Sequence, residues 1–431
     1  MKLHIPAFLN YECQACGACC RDYEIAMSKE KYQELSAVNW RAVSGDRELA
    51  EPFERTPFEW TGGPYRFKLR PDGTCIFQCK DKKCLVHGKL GFDAKALACR
   101  LFPVTFAKTP VGIFVGVRFN CHAIALALGQ PLQRDLQSIA KLFNESDLSG
   151  FLVPFPDMVK FDRRQKLTWP DYLKVERAMT NMILCPEKPL AERVAAVWRL
   201  ADLMREARLD KVAGEQFGEF VDIVSNGVMA ELQDDSLRAA IKPPGFVTRR
   251  IYQQFLFFLH RRRQSGSLNL SWREQLMRRS EGLRTSIKFS FNTGRMPFFK
   301  DENEVGMREI WKVELPPPDE HVTGMLERYL AGKIFGKQIF GPAFFNHTFI
   351  DGLAGLLCAY GAILWYARAS ALSRGAKAVE ASDVLRGMRH VDYSFGYSPV
   401  PALWTERLRL RWLAKGRTPG RIAVWLSEPQ L

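Results

Sequence analysis

Nine of the chain's eleven cysteines fall within its first 121 residues: Cys13, Cys16, Cys19, Cys20, Cys75, Cys79, Cys84, Cys99 and Cys121. Only Cys185 and Cys358 lie beyond. Thiols gathered in this way hold either a disulfide framework or a metal, and the redox compartment decides between them. The opening residues Met1-Lys2-Leu3-His4-Ile5-Pro6 lack the apolar stretch and small-residue cleavage site of a signal peptide. The longest uncharged apolar run, Gly352 to Ala367, has 16 residues and is closed off by Asp351 and Arg368. A bilayer span needs roughly 18–20, so a buried core helix is expected there. The chain is therefore expected in the cytoplasm, where thiols stay reduced and a cysteine cluster points to metal or catalysis.

The spacing supports metal. In Cys13-Gln14-Ala15-Cys16-Gly17-Ala18-Cys19-Cys20 the C-x2-C step lets two thiolates reach one ion from a tight turn, and Gly17 allows the positive φ such turns use. Cys19 and Cys20 are adjacent, and neighbouring side chains usually diverge, so the pair need not serve one ion. The next elements are Cys75-x3-Cys79-x4-Cys84-x2-His87, then Cys99, then Cys121-His122. Structural zinc takes four Cys/His ligands and an iron–sulfur cluster about four thiolates. The set therefore suffices for two sites, or for one with residues to spare. The candidate ligands are Cys13, Cys16, Cys19, Cys20, Cys75, Cys84, His87, Cys99 and Cys121. Cys79 sits in a lysine-rich loop and is weaker, as is His122. Cys185 and Cys358, each alone in a helical segment, read as packing.

With 431 residues, 47% hydrophobic and 25% charged, the chain is long enough for two or three domains, and its composition excludes a disordered, collagenous or repeat-dominated protein. Residues 1–125 read as a small Cys-rich α+β metal-binding domain. It has a Ser-capped helix over Ser28 to Val38, and a turn at Pro71-Asp72-Gly73 after an alternating run from Tyr65 to Arg70. A β-hairpin joins Val104–Lys108 to Ile113–Phe119. Residues 126–431 read as a predominantly α-helical domain, divisible near 235–318. Its helices are expected at Gln133–Phe143, Tyr172–Leu184, Leu190–Leu209, Gln216–Leu232, Val247–Arg263, Asp319–Phe335 and His347–Ala371, with another capped by Ser382 and running to about His390. Gln264-Ser265-Gly266-Ser267 reads as a loop. The fold class is thus mainly α with a small Cys-rich α+β N-terminal unit.

The net charge of +15 is concentrated. Ile241 to Lys300 carries thirteen Lys/Arg against Glu274 and Glu281 alone, and a second basic run spans Arg407 to Arg421. Such stretches attract polyanions or acidic protein faces, or simply form a solvated face. No nucleic-acid module accompanies them.

These cysteine elements resemble the zinc- or iron-chelating family named for C-x2-C-x2-C-C, and within it the flagellin lysine-N-methylase branch. The likeness is carried by residues 13–20, Cys75-Ile76-Phe77, Cys84-Leu85-Val86-His87 with Gly88 and Gly91, Cys99-x3-Pro103, and Arg118-x2-Cys121. It covers roughly residues 11–128, with a weaker echo at Leu326–Leu330 and after His347. The resemblance implies a cysteine-bound metal centre, a 4Fe–4S iron–sulfur cluster or zinc, with S-adenosylmethionine as methyl donor and a protein lysine, in that branch flagellin's, as acceptor. The chain departs from the pattern at Cys79, which is additional, and at His122-Ala123, where the family has Pro-Glu.

Apart from that likeness no enzyme is visible. A doubly wound methyltransferase would show a glycine-rich loop after its first strand. Thr61-Gly62-Gly63-Pro64 lacks that setting, and Asp351-Gly352-x2-Gly355 falls inside an expected helix. Neither a catalytic base nor a donor site can be named. Three readings stand at this level: a metal-cluster lysine methyltransferase, a non-catalytic zinc- or iron-binding protein, and a basic scaffold stapled by zinc.

Overall fold

The computed structural model describes the whole chain except residues 1, 22, 24, 61–62, 146–147, 149–151, 213, 261–271, 300–302, 398–399 and 429–431. The loop expected at 264–267 and the end of the helix expected at Val247–Arg263 lie outside the described residues. The chain is mainly helical, and its few short strands include those of the cysteine-rich N-terminal segment, as the sequence leads one to expect.

Two apolar cores organise it. The smaller takes eleven buried side chains from residues 27–96, centred on Trp40, Phe67 and Phe77. Around it lie α1 (Lys29–Ser36) and a three-stranded antiparallel sheet of β1 (Ala26–Met27), β2 (Phe53–Trp60) and β3 (Gly63–Phe67), with β3 in the middle. Ser28 caps α1 by accepting a hydrogen bond from the Lys31 backbone N–H at 3.2 Å. Two short helices follow, α2 (Leu85–Leu90) and α3 (Leu97–Leu101).

The hairpin of β4 (Val104–Thr109) and β5 (Gly112–Val117) forms where expected, with Thr109 paired to Gly112 across a two-residue turn. Its side chains join the larger core. The Leu3–His4 strand adds to β5 in parallel, returning the N-terminal residues to the same sheet. A one-turn helix, α4 (His122–Ala125), begins immediately after Cys121.

The larger core is helical. It is built from α5 (Trp169–Leu184), α6 (Leu190–Glu206), α7 (Gly214–Gln233), α8 (Phe246–His260), α9 (Trp272–Phe291), α10 (Glu320–Phe335), α11 (Phe349–Ser373), α12 (Ala381–Tyr397), α13 (Trp404–Leu413) and α14 (Thr418–Ser427). The helix α11 is the axis, packed by α6, α10, α12, α13 and α14. It is long and apolar enough to cross a membrane, yet protein surrounds it. Its one guanidinium, on fully buried Arg368, donates to the carbonyls of Val313, Leu426 and Glu428. Gly387 lets α12 cross α11 closely, since a Cβ there would lie 2.6 Å from the Ile363 carbonyl oxygen.

Ser382 does not cap α12, which starts one residue earlier. The carboxylate of Asp383 accepts the Glu380 N–H, the Ser370 hydroxyl and the Arg374 guanidinium, and that network fixes the start. The helix also runs past His390 to Tyr397.

Buried ion pairs tie the layers together. Lys337 Nζ lies 2.7 and 2.8 Å from the two carboxylate oxygens of Glu176 on α5, and 3.6 Å from the Phe114 ring centroid on β5. Burial pulls the lysine down and the glutamate up, and each opposes the other's shift. Lys333 on α10 pairs with Asp392 on α12, both side chains being buried.

The basic stretch that begins near residue 241 forms α8 and α9. On α9, Trp272 is 70% and Leu283 64% exposed, with Leu276, Ile287 and Phe291 also outward among Arg273, Arg279 and Arg284. Cations there alternate with large apolar groups, unlike a purely solvated charged face.

Candidate metal centre

Four chain segments bring the N-terminal cysteines together. The first is the Cys13–Cys20 turn, in which Ala15 and Gly17 both adopt positive φ. Gly17 meets two demands. Its carbonyl accepts the Cys20 N–H at 3.0 Å and the Gln78 side-chain amide at 3.2 Å. A Cβ on it would fall 2.1 Å from Gln78 Nε2. The Cys20 carbonyl then accepts the Cys75 N–H at 2.6 Å, joining the first segment to the second. Cys84 faces Gln78 in a β-bridge and caps α2, Cys99 lies on α3, and Cys121 caps α4.

The thiols fall into two neighbourhoods. Cys20, Cys75, Cys84 and Cys99 all sit in or against the smaller core. Burial pushes the Cys75 thiol up to about 12, and Cys84 and Cys19 add to the rise. Burial raises Cys99 further, with Cys75, Cys84 and Cys19 as its neighbours. The other neighbourhood holds exposed Cys13 and Cys16 together with Cys121, which packs against the larger core. Burial lifts Cys121 to about 11, and Cys19 and Cys16 contribute. Tyr11 belongs here too: burial, then Cys13, Cys121 and Cys19, drive its hydroxyl upward.

Cys19 stands at the junction. Its Sγ lies 3.9 Å from that of Cys20, so the adjacent thiols converge where divergence was expected. The hydrogen bond from Cys20 pulls Cys19 down to about 7 against the effect of burial, with Lys95 assisting. The same bond is the largest cause of the rise at Cys20. Two thiolates on one tetrahedral zinc, at Zn–S about 2.3 Å, sit about 3.8 Å apart. The donor set fits a thiophilic metal: the ligands are soft sulfurs, and Cys20, Cys75, Cys99 and Cys121 are each disfavoured as bare thiolates by burial and by neighbouring thiols. Among the described residues, no three His, Cys, Asp or Glu side chains close around a common point.

His87 is exposed on α2 with its ring edge-on to Phe92 at 6.0 Å. Half-buried His122 is held low by burial and then by Arg389. Cys79 lies in a tight 79–83 turn, where burial, Asp81 and Cys84 raise it. Cys185 ends α5, and Cys358 is buried within α11. Sequence reasoning missed Tyr11, Gln78 and the α12 residues that hold the Cys121 loop. The Asn120 N–H donates to Asp392 at 2.9 Å, and Arg389 Nε donates to the Asn120 carbonyl at 3.1 Å. The separation of 272 positions between Asn120 and Asp392 leaves no local signal of that contact.

Residues 12–118 match a protein-family model named CxxCxxCC and described as a "Putative zinc- or iron-chelating domain". The match takes in every cluster cysteine except Cys121, and it leaves the helical remainder outside. No curated protein and no solved structure matches the chain.

Proposed function

We propose that this is a metal-binding protein whose N-terminal unit is held by zinc or iron on the thiolates of Cys20, Cys75, Cys84 and Cys99. Cys19 connects these to an outer set of Cys13, Cys16 and Cys121, which supplies a second site. The reading is carried by the convergence of four sequence-distant cysteines on one small core. Closely placed thiols in a reducing compartment are stable there as ligands. A bound cation offsets the thiolate repulsion and contributes directly to folding.

Visible absorption and elemental analysis of anaerobically purified protein test it. A brown sample with broad absorption and iron identifies an iron–sulfur centre, and a colourless zinc-loaded one identifies zinc. Protein free of both overturns the proposal. His87→Ala is expected to keep the full metal content.

The finer reading is methyl transfer from S-adenosylmethionine to a protein lysine. It is supported by the motif resemblance alone. Calorimetric titration of the donor into the metal-loaded chain, followed by labelled-methyl transfer to lysine-bearing proteins, tests it. Absence of donor binding eliminates it and leaves metal binding in place.

A further inference from the structure

A cavity of about 500 Å³ separates the cysteine-rich unit from α12. Cys16 lies on one wall and Arg386 and Arg389 on the other. Four cations line it, Arg21, Lys82, Arg386 and Arg389, against the single carboxylate of Asp72 among the described residues. Asn120 also faces it. That residue is only 6% exposed, and neither Nδ2 nor Oδ1 of its side chain has a hydrogen-bond partner. A buried amide left unmade costs about 1–3 kcal/mol, so native proteins rarely keep one without a reason. Its backbone is meanwhile clamped on both sides, by Asp392 and by Arg389. The amide is therefore held rigidly at the cavity wall, with a donor and an acceptor available.

We propose that this cleft binds a small anion bearing carboxylate or phosphate groups. The Asn120 amide would bond it, and the surrounding guanidinium and ammonium groups would neutralise it. Arginine forks suit both headgroups. The same lining repels a cationic ligand such as a sulfonium, so the cleft is assigned to a different molecule from the methyl donor considered above. The inference does not depend on which metal the cysteines hold, nor on methyl transfer. It requires only that the two walls stay folded.

The test uses the full chain with its native metal. Succinate and inorganic phosphate, both weak chelators, are titrated by calorimetry at low ionic strength, and metal content is measured before and after. Saturable binding of one or both at unchanged metal content is expected, and the stronger binder identifies the headgroup. Asn120→Ala and Arg21→Glu should each weaken binding about tenfold or more, the scale of one lost charge-assisted hydrogen bond. Asn120→Ala removes no protein hydrogen bond, and Arg21 is exposed, so both variants should fold. Arg279→Glu, on exposed α9, should leave binding unchanged. The proposal is overturned if neither anion saturates at millimolar concentration. It is equally overturned if both cleft variants bind like the parent, or if Arg279→Glu weakens binding as much as they do.

Discussion

Cys84→Ser is expected to strip most of the metal and unfold the segment around the smaller core, while Cys16→Ser costs only the outer site. The asymmetry follows from where the two thiols lie. Cys84 packs against a core of just eleven buried side chains, and Cys16 is exposed on the opening turn. A core of that size rarely supplies more than about 3–5 kcal/mol alone. Structural zinc contributes an apparent binding energy of about 10–16 kcal/mol at neutral pH. Losing one of four ligands there removes more than the core can replace. Elemental analysis should show the metal deficit, and hydrogen exchange should show residues 25–100 open while α11 stays protected. Full metal content in Cys84→Ser would remove that residue from the ligand set.

The pH dependence has opposite signs with and without metal. The ligands must be deprotonated to bind, so protons compete and apparent affinity falls as pH falls, by up to about four log units per pH unit for four thiols. In metal-free protein, burial holds the Cys75 thiol up at about 12. The folded state then favours the protonated form, against about 8.5 for an unperturbed thiol. That contribution is fully present below about pH 8.5 and is lost as pH rises through about 12. The fraction of chelator-treated protein that keeps the smaller core folded should decline with pH across this window, as read by circular dichroism. The loaded protein, whose ligands are already ionised, should gain stability as pH rises toward about 8.5, where the thiols of the unfolded chain ionise, and should level off above it.

What the sequence made legible was local. The Ser28 cap, the Thr109–Gly112 hairpin and the apolar run that became α11 all declare themselves within a few residues of chain. The cysteine spacing likewise announced chelation, because C-x2-C is itself a local geometry. The division of the thiols was not legible. It depends on the Cys75 N–H meeting the Cys20 carbonyl 55 residues away, and on Cys121 being carried by a hairpin that packs into the other core. Spacing also misjudged Cys19 and Cys20, because a one-turn 3-10 helix over Ala18–Cys20 brings their thiols together where an extended pair would part them. The helix α9 was hidden for a different reason. Its outward face mixes arginines with Trp272, Leu276 and Leu283, so its apolar period marks no single buried stripe.

Asp392→Ala is the other substitution expected to have a large effect, and it links the helical bulk of the chain to the cysteines. The carboxylate is fully buried, pairs with Lys333 and accepts the Asn120 N–H. Burial already lowers the Lys333 ammonium, and Asp392 is the largest influence opposing that fall. Removing the carboxylate leaves a buried cation uncompensated, which costs about 3–5 kcal/mol, and frees an amide that stands one residue before Cys121. Chemical denaturation should register the loss. After chelation, the Cys121 thiol should alkylate faster than in the parent, because α12 no longer holds its loop. A Lys333→Met/Asp392→Leu double variant separates charge from shape. With both charges gone, part of the stability should return, limited by buried Arg118, whose charge Asp392 also compensates, while the Asn120 anchor stays lost and Cys121 remains over-reactive. A single variant within about 1 kcal/mol of the parent would contradict the claim that this pair carries a buried charge. Parent-like alkylation in both variants would instead place the control of the Cys121 loop elsewhere, with Arg389 as the residue to examine next.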